Sequence, residues 1–170
     1  MTTKVQLEHV EAISKITVKS FIKTYQDDGA GITKEIITKA AGNLEMLITG
    51  YSKKINDGKN ELSFVCIEEG KVLGHIWGKQ ESEVKYSIET LYVDIKNLKQ
   101  GVVGRLLNSL VNKILEINSN VKITVVVAKN NYNAIKFYEH SGFKIANPSF
   151  GKYKIKDNII LDTILMEKSV

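Results

Sequence analysis

With 170 residues, 43% hydrophobic and 25% charged, the chain has the size and composition of one soluble globular domain and lies outside the disordered range. Its formal charge of +5 allows an anionic ligand, but the lysines are scattered and Arg105 is the only arginine, so no nucleic-acid partner is expected. No apolar run nears the roughly 20 residues that span a membrane, the opening MTTKVQLEHVEAISK lacks the apolar core of a secretory signal, and Cys66 has no disulfide partner; these point to a cytoplasmic protein.

Val5 and Leu7 alternate as a short first strand would, and Val10, Ile13, Ile16, Phe21 and Tyr25 then recur on one helical face. QDDGAGIT breaks that helix. Thr33 is placed to cap a second one, with Ile36, Ile37, Ala40, Leu44, Leu47 and Ile48 inward. After the turn signal NDGK at 56–59, the runs ELSFVCIEE, VLGHIWGKQ and KYSIETLYV read as a three-strand meander, with Cys66 a small buried hydrophobe. Val103, Leu106, Leu107, Leu110, Val111 and Ile114 mark one face of the next helix. VKITVVVA suits a fully buried strand, NNYNAIKFYEHSGF a helix closed by Gly142, and NIILDTILMEK a last strand. The predicted order is β-α-α-β-β-β-α-β-α-β-β. That is a single-domain α/β chain over residues 1–170.

The stretch LYVDIKNLKQGVVGRLLNSL runs from an apolar strand through a basic glycine loop into a helix. A helix N-terminus leaves about four N–H groups unpaired and carries roughly half a positive charge, which suits phosphate. Val102, Val103, Gly104 and Arg105 are the expected N–H donors, Gly101 and Gly104 allow close approach, and Lys99 and Arg105 add full charges. A plain β-to-α turn would use glycine in the same way. Neither a dinucleotide fingerprint nor a P-loop lysine motif is present, which excludes the commonest NAD and NTP cradles.

This stretch resembles motif A of the GCN5-related N-acetyltransferase (GNAT) family, an apolar strand and spacer leading to Q/R-x-x-G-x-G/A before a helix. NNYNAIKFYEHSGFK is similar to the family's second signature, matched at Asn131, Ala134, Phe137, Tyr138, Glu139, Gly142 and Phe143. The resemblance implies a central mixed, mostly antiparallel sheet of six to seven strands flanked by about four helices. It departs from the pattern at one point. Either Lys99 takes the Q/R position and Val102 replaces the middle glycine, or Gln100 and Gly101 keep their usual places in a loop one residue shorter. Because valine tolerates only negative φ, the loop at Val102 is expected to bind without a left-handed turn.

The resemblance further implies acetyl-CoA as donor, a primary amine as acceptor and no metal. The pantetheine arm would lie along Leu91, Tyr92 and Val93, and the pyrophosphate on residues 99–105 including Gln100. Ala134 would line the donor site, and Asn131 would either cap its helix or bond the arm. Tyr138 matches the tyrosine that protonates the departing thiolate. Glu89 stands where relatives hold a base or a water-relaying carboxylate. Two residues before Leu91, it would share that residue's face if no bulge intervenes. His75 is an alternative base, with an intrinsic pKa of about 6.5, against the reading of a satisfied strand histidine.

The acceptor is expected from the first helices and last strands. Phe21 and Tyr25 have a spacing that looks like bacterial polyamine acetyltransferases of the PaiA type, and Asp27, Asp28, Glu35 and Glu89 would attract a cationic amine. The expected acceptor is therefore a small amine such as a polyamine. A protein N-terminus or lysine is the second reading, a non-catalytic acyl-CoA sensor the third, and a homodimer is allowed.

Overall fold

The sheet begins where the meander is expected. β2 (Glu61–Glu68), β3 (Lys71–Ser82) and β4 (Lys85–Val93) pair in antiparallel succession, and β1 (Thr2–Lys4) adds to β2. β5 (Lys122–Ala128) lies parallel to β4, and the hairpin of β6 (Lys144–Lys156) and β7 (Ile159–Ser169) completes the order β1-β2-β3-β4-β5-β7-β6. The computed structural model describes residues 1–98, 100–156 and 159–170. Within them the sheet has seven strands and the mixed, mostly antiparallel character expected.

α4 (Val102–Ile117) and α5 (Tyr132–His140) cover one face, where Leu106, Leu110 and Ile114 meet Ile76, Tyr86, Ile123 and Met166. α1 (Val10–Tyr25) and α3 (Leu44–Asp57) cover the other, Ile13 and Tyr51 packing with Val65 and Trp77. Each such side chain removed from water contributes about 1.5–3 kcal/mol. No helix among the described residues is long and apolar enough to cross a membrane.

Two local expectations are corrected. The helix expected from Thr33 is two: α2 (Lys34–Ala40), which Thr33 does cap, and α3. Gly42 adopts φ +87° between them, and the Asn43 side chain restarts the helix by accepting from the Glu45 N–H. The first strand lies ahead of the Val5–Leu7 alternation, because Gln6 and His9 close a tight turn there that leaves Leu7 exposed.

β4 carries the two irregularities that make a site. It pairs with β5 only from Lys85↔Lys122 to Ile88↔Val125, after which the strands part and the edge of β4 lies open to Val93. On its other side, Trp77 pairs with Thr90 but Gly78 with Ile88, so Glu89 is the extra residue of a β-bulge. The open segment is braced by β3 at Gly74, where a Cβ would lie 2.7 Å from the Tyr92 carbonyl oxygen and 2.9 Å from Val93 Cγ2. Gly74→Ala is therefore expected to cost about 1–3 kcal/mol through overpacking. Thermal unfolding checks this; an unchanged Tm would show that β4 gives way freely.

Candidate active site

Where β4 and β5 separate, a cavity of about 220 Å³ opens between residues 89–93 and 125–128. α5 closes its far side with Asn131, Ala134 and Tyr138. The opening follows from the bulge and the lost ladder. Leu91, Tyr92 and Val93 remain paired to β3, but their other edge has no strand partner, so an extended amide-bearing ligand can bond there as an added strand would.

The bulge corrects the expected direction of Glu89. Leu91 packs toward the α4 side of the sheet, whereas the Glu89 carboxylate pairs with Lys54 Nζ of α3, on the opposite side. Glu89 also lines a second cavity of about 340 Å³, walled by Phe21, Tyr25, Tyr92 and Tyr153. It thus stands at the junction of a strand-edged cleft and an aromatic chamber. Phe21 and Tyr25 meet at a tilt of 57° with 4.7 Å between centroids, and Tyr153 lies 6.4 Å from Tyr25. Burial, then the nearby Tyr153, pushes the Tyr25 hydroxyl above its ordinary pKa, and burial does the same for Tyr153 and Tyr92. The chamber therefore presents neutral hydroxyls and ring faces to its contents, with Glu89 the one carboxylate among the described residues that line it.

Tyr138 is 6% exposed, its ring set edge-on to Phe143 at 5.2 Å, and it lines the first cavity. Burial pushes its hydroxyl well above the usual tyrosine range, with a smaller push from Tyr25, so it stays protonated across the working pH range. Asn131 is seen as a helix cap, its Oδ1 accepting from the Ala134 N–H at 3.2 Å, and it also borders the cavity.

The loop before α4 resolves the question raised by Val102. Gly101 takes the left-handed conformation, φ +69°, and Val102 opens the helix with its side chain fully buried. A left-handed turn is present after all, one residue earlier than the departure at Val102 implied, so a glycine at 102 is not required. The Arg105 N–H donates to the Gly101 carbonyl at 3.1 Å, which withdraws it from the expected donors. Val102, Val103 and Gly104 precede that first bond, and no acceptor for their N–H groups occurs among the described residues. Among the described residues, and apart from chain neighbours and the helix's own backbone, nothing lies within 4 Å of where a Cβ would stand on Gly101 or Gly104, which leaves room for an anion beside the helix start. The Arg105 guanidinium is engaged by Glu68 on β2. Gln100 flanks the loop on the side of Asp94 and Asn97, and Lys99 lies outside the described residues.

The remaining expected residues fall elsewhere. His75 is wholly buried and lines neither cavity. The Thr17 hydroxyl donates to the Ile13 carbonyl, so at 2.9 Å from His75 Nε2 it accepts, which assigns the ring as the Nε2–H tautomer. Burial lowers its pKa to about 3, keeping it a neutral core residue rather than an alternative base. Asp28 is exposed, accepts from the Gln26 side chain and does not reach the chamber; Glu35 pairs with Lys39. Sequence reading missed Tyr153 and Lys54. Neither belongs to a motif, and each arrives from an element distant in the chain.

The residues present fit acetyl-CoA: an open strand edge for its amides, a helix start whose first N–H groups have no acceptor among the described residues for its pyrophosphate, and a tyrosine and a carboxylate on the walls between. A family model described as "Acetyltransferase (GNAT) family" matches residues 24–143. A search of curated proteins finds no match. Among solved structures, the PaiA N-acetyltransferase of Thermoplasma acidophilum in complex with coenzyme A is similar at TM-score 0.75 and 18% identity, over 100% of this chain and 98% of that one. An N-acetyltransferase from Staphylococcus aureus Mu50 is similar at TM-score 0.73 and 20% identity, covering 99% and 97% of the two chains. The ribosomal-protein-S18-alanine N-acetyltransferase of Escherichia coli is similar at 0.70 and 17%, covering 99% and 92%. The family match spans well over half of the chain and takes in both segments around the cavity, and on that ground the chain belongs to the acetyltransferase (GNAT) family.

Proposed function

We propose that this acetyl-CoA-dependent acetyltransferase acts on the primary amine of a small molecule, with polyamines the first acceptor class to test. The observation that carries the reading is Glu89 at the junction of the two cavities, one edged by unpaired strand and the other walled by aromatic rings. A chamber of about 340 Å³ is in the range of small-ligand pockets. Ring faces accept both alkyl stretches and ammonium groups.

In this reading Leu91, Tyr92 and Val93 bind the pantetheine amides and the N–H groups of Val102, Val103 and Gly104 bind the pyrophosphate. Acetyl-CoA supplies an activated acyl carbon and a thiolate leaving group. Glu89 takes a proton from the incoming ammonium, directly or through one water, and the freed nitrogen attacks the thioester carbon. A backbone N–H on the β4 edge stabilises the oxygen that becomes negative, an effect typically worth about 3 kcal/mol. The C–S bond then breaks, Tyr138 gives its proton to the thiolate, and the second proton shed by the nitrogen as the amide forms restores the tyrosine hydroxyl. The dry wall around Tyr138 makes that thiolate a stronger base than it is in water.

Following thiol release from acetyl-CoA with polyamines, aminoglycosides, monoamines and short peptides tests the acceptor. Small amines are expected to lead; preference for peptides would overturn the small-molecule reading, and no release with any of them would favour an acyl-CoA sensor. Binding of the donor is checked separately. At 100 times its Kd, acetyl-CoA stabilises the fold by about 2.7 kcal/mol, or roughly 5–10 °C in Tm at this size; an unmoved Tm at millimolar acetyl-CoA would remove the donor site.

A further inference from the structure

Lys54 of α3 is the charged neighbour of Glu89, and it is shared. Its Nζ lies 2.5 Å from Glu89 Oε2, 3.6 Å from Glu61 Oε1, and 5.5 Å from the centroid of the Trp77 ring. Trp77 in turn donates its indole N–H to Glu61, fixing that carboxylate on β2. Burial works against the charge on Lys54, but bonding to Glu89 and then Glu61 outweighs it and raises its pKa, so the ammonium persists. Among the described residues, the other titratable groups that line the two cavities with Glu89 are Lys23 of α1 and the neutral tyrosines Tyr25, Tyr92, Tyr138 and Tyr153, with Tyr51 beside Lys54 on α3.

A substrate ammonium entering this chamber meets a carboxylate already taken by an ammonium of the chain itself. A simple structural pair at this exposure would stabilise little and would need no second carboxylate. Here the second carboxylate stands beside an aromatic face that also attracts cations, so Lys54 can release Glu89 without becoming a lone, partly buried charge. We propose that Lys54 is a positioning residue that holds Glu89 at the junction of the cavities in the free enzyme and passes to Glu61 and Trp77 when the acceptor ammonium takes its place. The proposal rests on the acetyltransferase reading above. The proton step balances within it: the N–H bond of the acceptor breaks, an O–H bond forms on Glu89, and the proton leaves through the open chamber.

The test compares wild type, Lys54→Met, Lys54→Arg and Glu61→Gln with the best acceptor of the amine panel, reading kcat and the KM of both acceptor and acetyl-CoA. Lys54→Met is expected to lower acceptor kcat/KM about tenfold and to leave the acetyl-CoA KM nearly unchanged, because Glu89 loses the cation that holds it at the junction in the free enzyme. Lys54→Arg, which keeps a cation, is expected to recover most of the loss. Glu61→Gln removes the fallback, holds Lys54 on Glu89, and is expected to raise acceptor KM two- to fivefold with little change for acetyl-CoA. An undiminished acceptor kcat/KM in Lys54→Met, an arginine no better than methionine, or an unchanged acceptor KM in Glu61→Gln overturns the proposal. If Lys54→Met fails to fold, the arginine and Glu61→Gln arms still decide. Failure of the acetyltransferase reading is separate, since it shows as no thiol release by the wild type.

Discussion

Tyr138→Phe lowers turnover about a hundredfold, the lower end of what a positioned acid contributes, and leaves acetyl-CoA binding nearly unchanged. The separation is expected because the substitution removes one oxygen and keeps the ring. The aromatic body of Tyr138 is buried against Phe143 in the core that joins α5 to the sheet, and phenylalanine fills that space. What disappears is a hydroxyl held protonated by burial on the wall of the cleft beside β4. Without it the thiolate must take its proton from water that nothing holds in place. Steady-state kinetics paired with the acetyl-CoA shift in Tm measures both halves. Full turnover in the phenylalanine variant across pH would remove Tyr138 as the acid, and equal losses in turnover and donor binding would make it a packing residue.

Glu89→Gln has the other large effect, and its signature is pH. Glutamine keeps the shape but accepts no proton and gives up the charge that holds Lys54. At low pH the acceptor is almost wholly an ammonium, so attack depends on a base; there the loss is expected to reach about a hundredfold. As pH rises toward the pKa of the free amine, about 10 for an alkylammonium such as lysine, deprotonation needs less help and the variant approaches wild type. The ratio of kcat/KM values therefore narrows with increasing pH. A loss of the same size at every pH would assign Glu89 to structure, with its bond to Lys54 joining α3 to β4.

The expected pH behaviour depends on which carboxylate faces the acceptor, and the fold answers that more narrowly than composition does. Asp27, Asp28, Glu35 and Glu89 all stand in the right part of the chain to draw a cation. Glu35 pairs with Lys39 and Asp28 with Gln26, while Glu89 alone of the four borders the chamber. In the proposed reading, the chamber selects its acceptor as much by rings as by charge. Tyr153 supplies a wall that no spacing in the first helix could reveal, since β6 brings it opposite Tyr25 from more than a hundred residues away.

Local order was legible because it is written in local chemistry. The β-branched alternation after residue 60, the caps at Thr33 and Asn131, and the left-handed Gly142 all act over a few residues, and each is found where its chemistry puts it. Motif segments were legible for the same reason: a strand, a glycine and a helix start must be contiguous to present backbone N–H groups to an anion. Where the reading failed locally, a short-range competitor won. Gly42 divided the second helix, and the tight turn at Gln6 and His9 displaced the first strand.

By itself, then, the sequence determined the run of elements apart from the division of the second helix and the place of the first strand, the family signatures, and with them the class of donor. The tertiary structure alone decided which way the chemistry faces. Glu89 points to α3 rather than with Leu91 because the pairing of β4 with β3 gains one residue there, and a bulge depends on the register of two strands together. The cleft exists because β5 leaves β4 after Ile88, which no property of either strand alone requires. His75 is silent because Thr17 and the surrounding core enclose it, although in the sequence it is simply a histidine on a neighbouring strand. Contacts within a few residues are set by local propensity. Those between Lys54, Glu89 and Tyr153 are set by packing, and on them the proposed choice of acceptor rests.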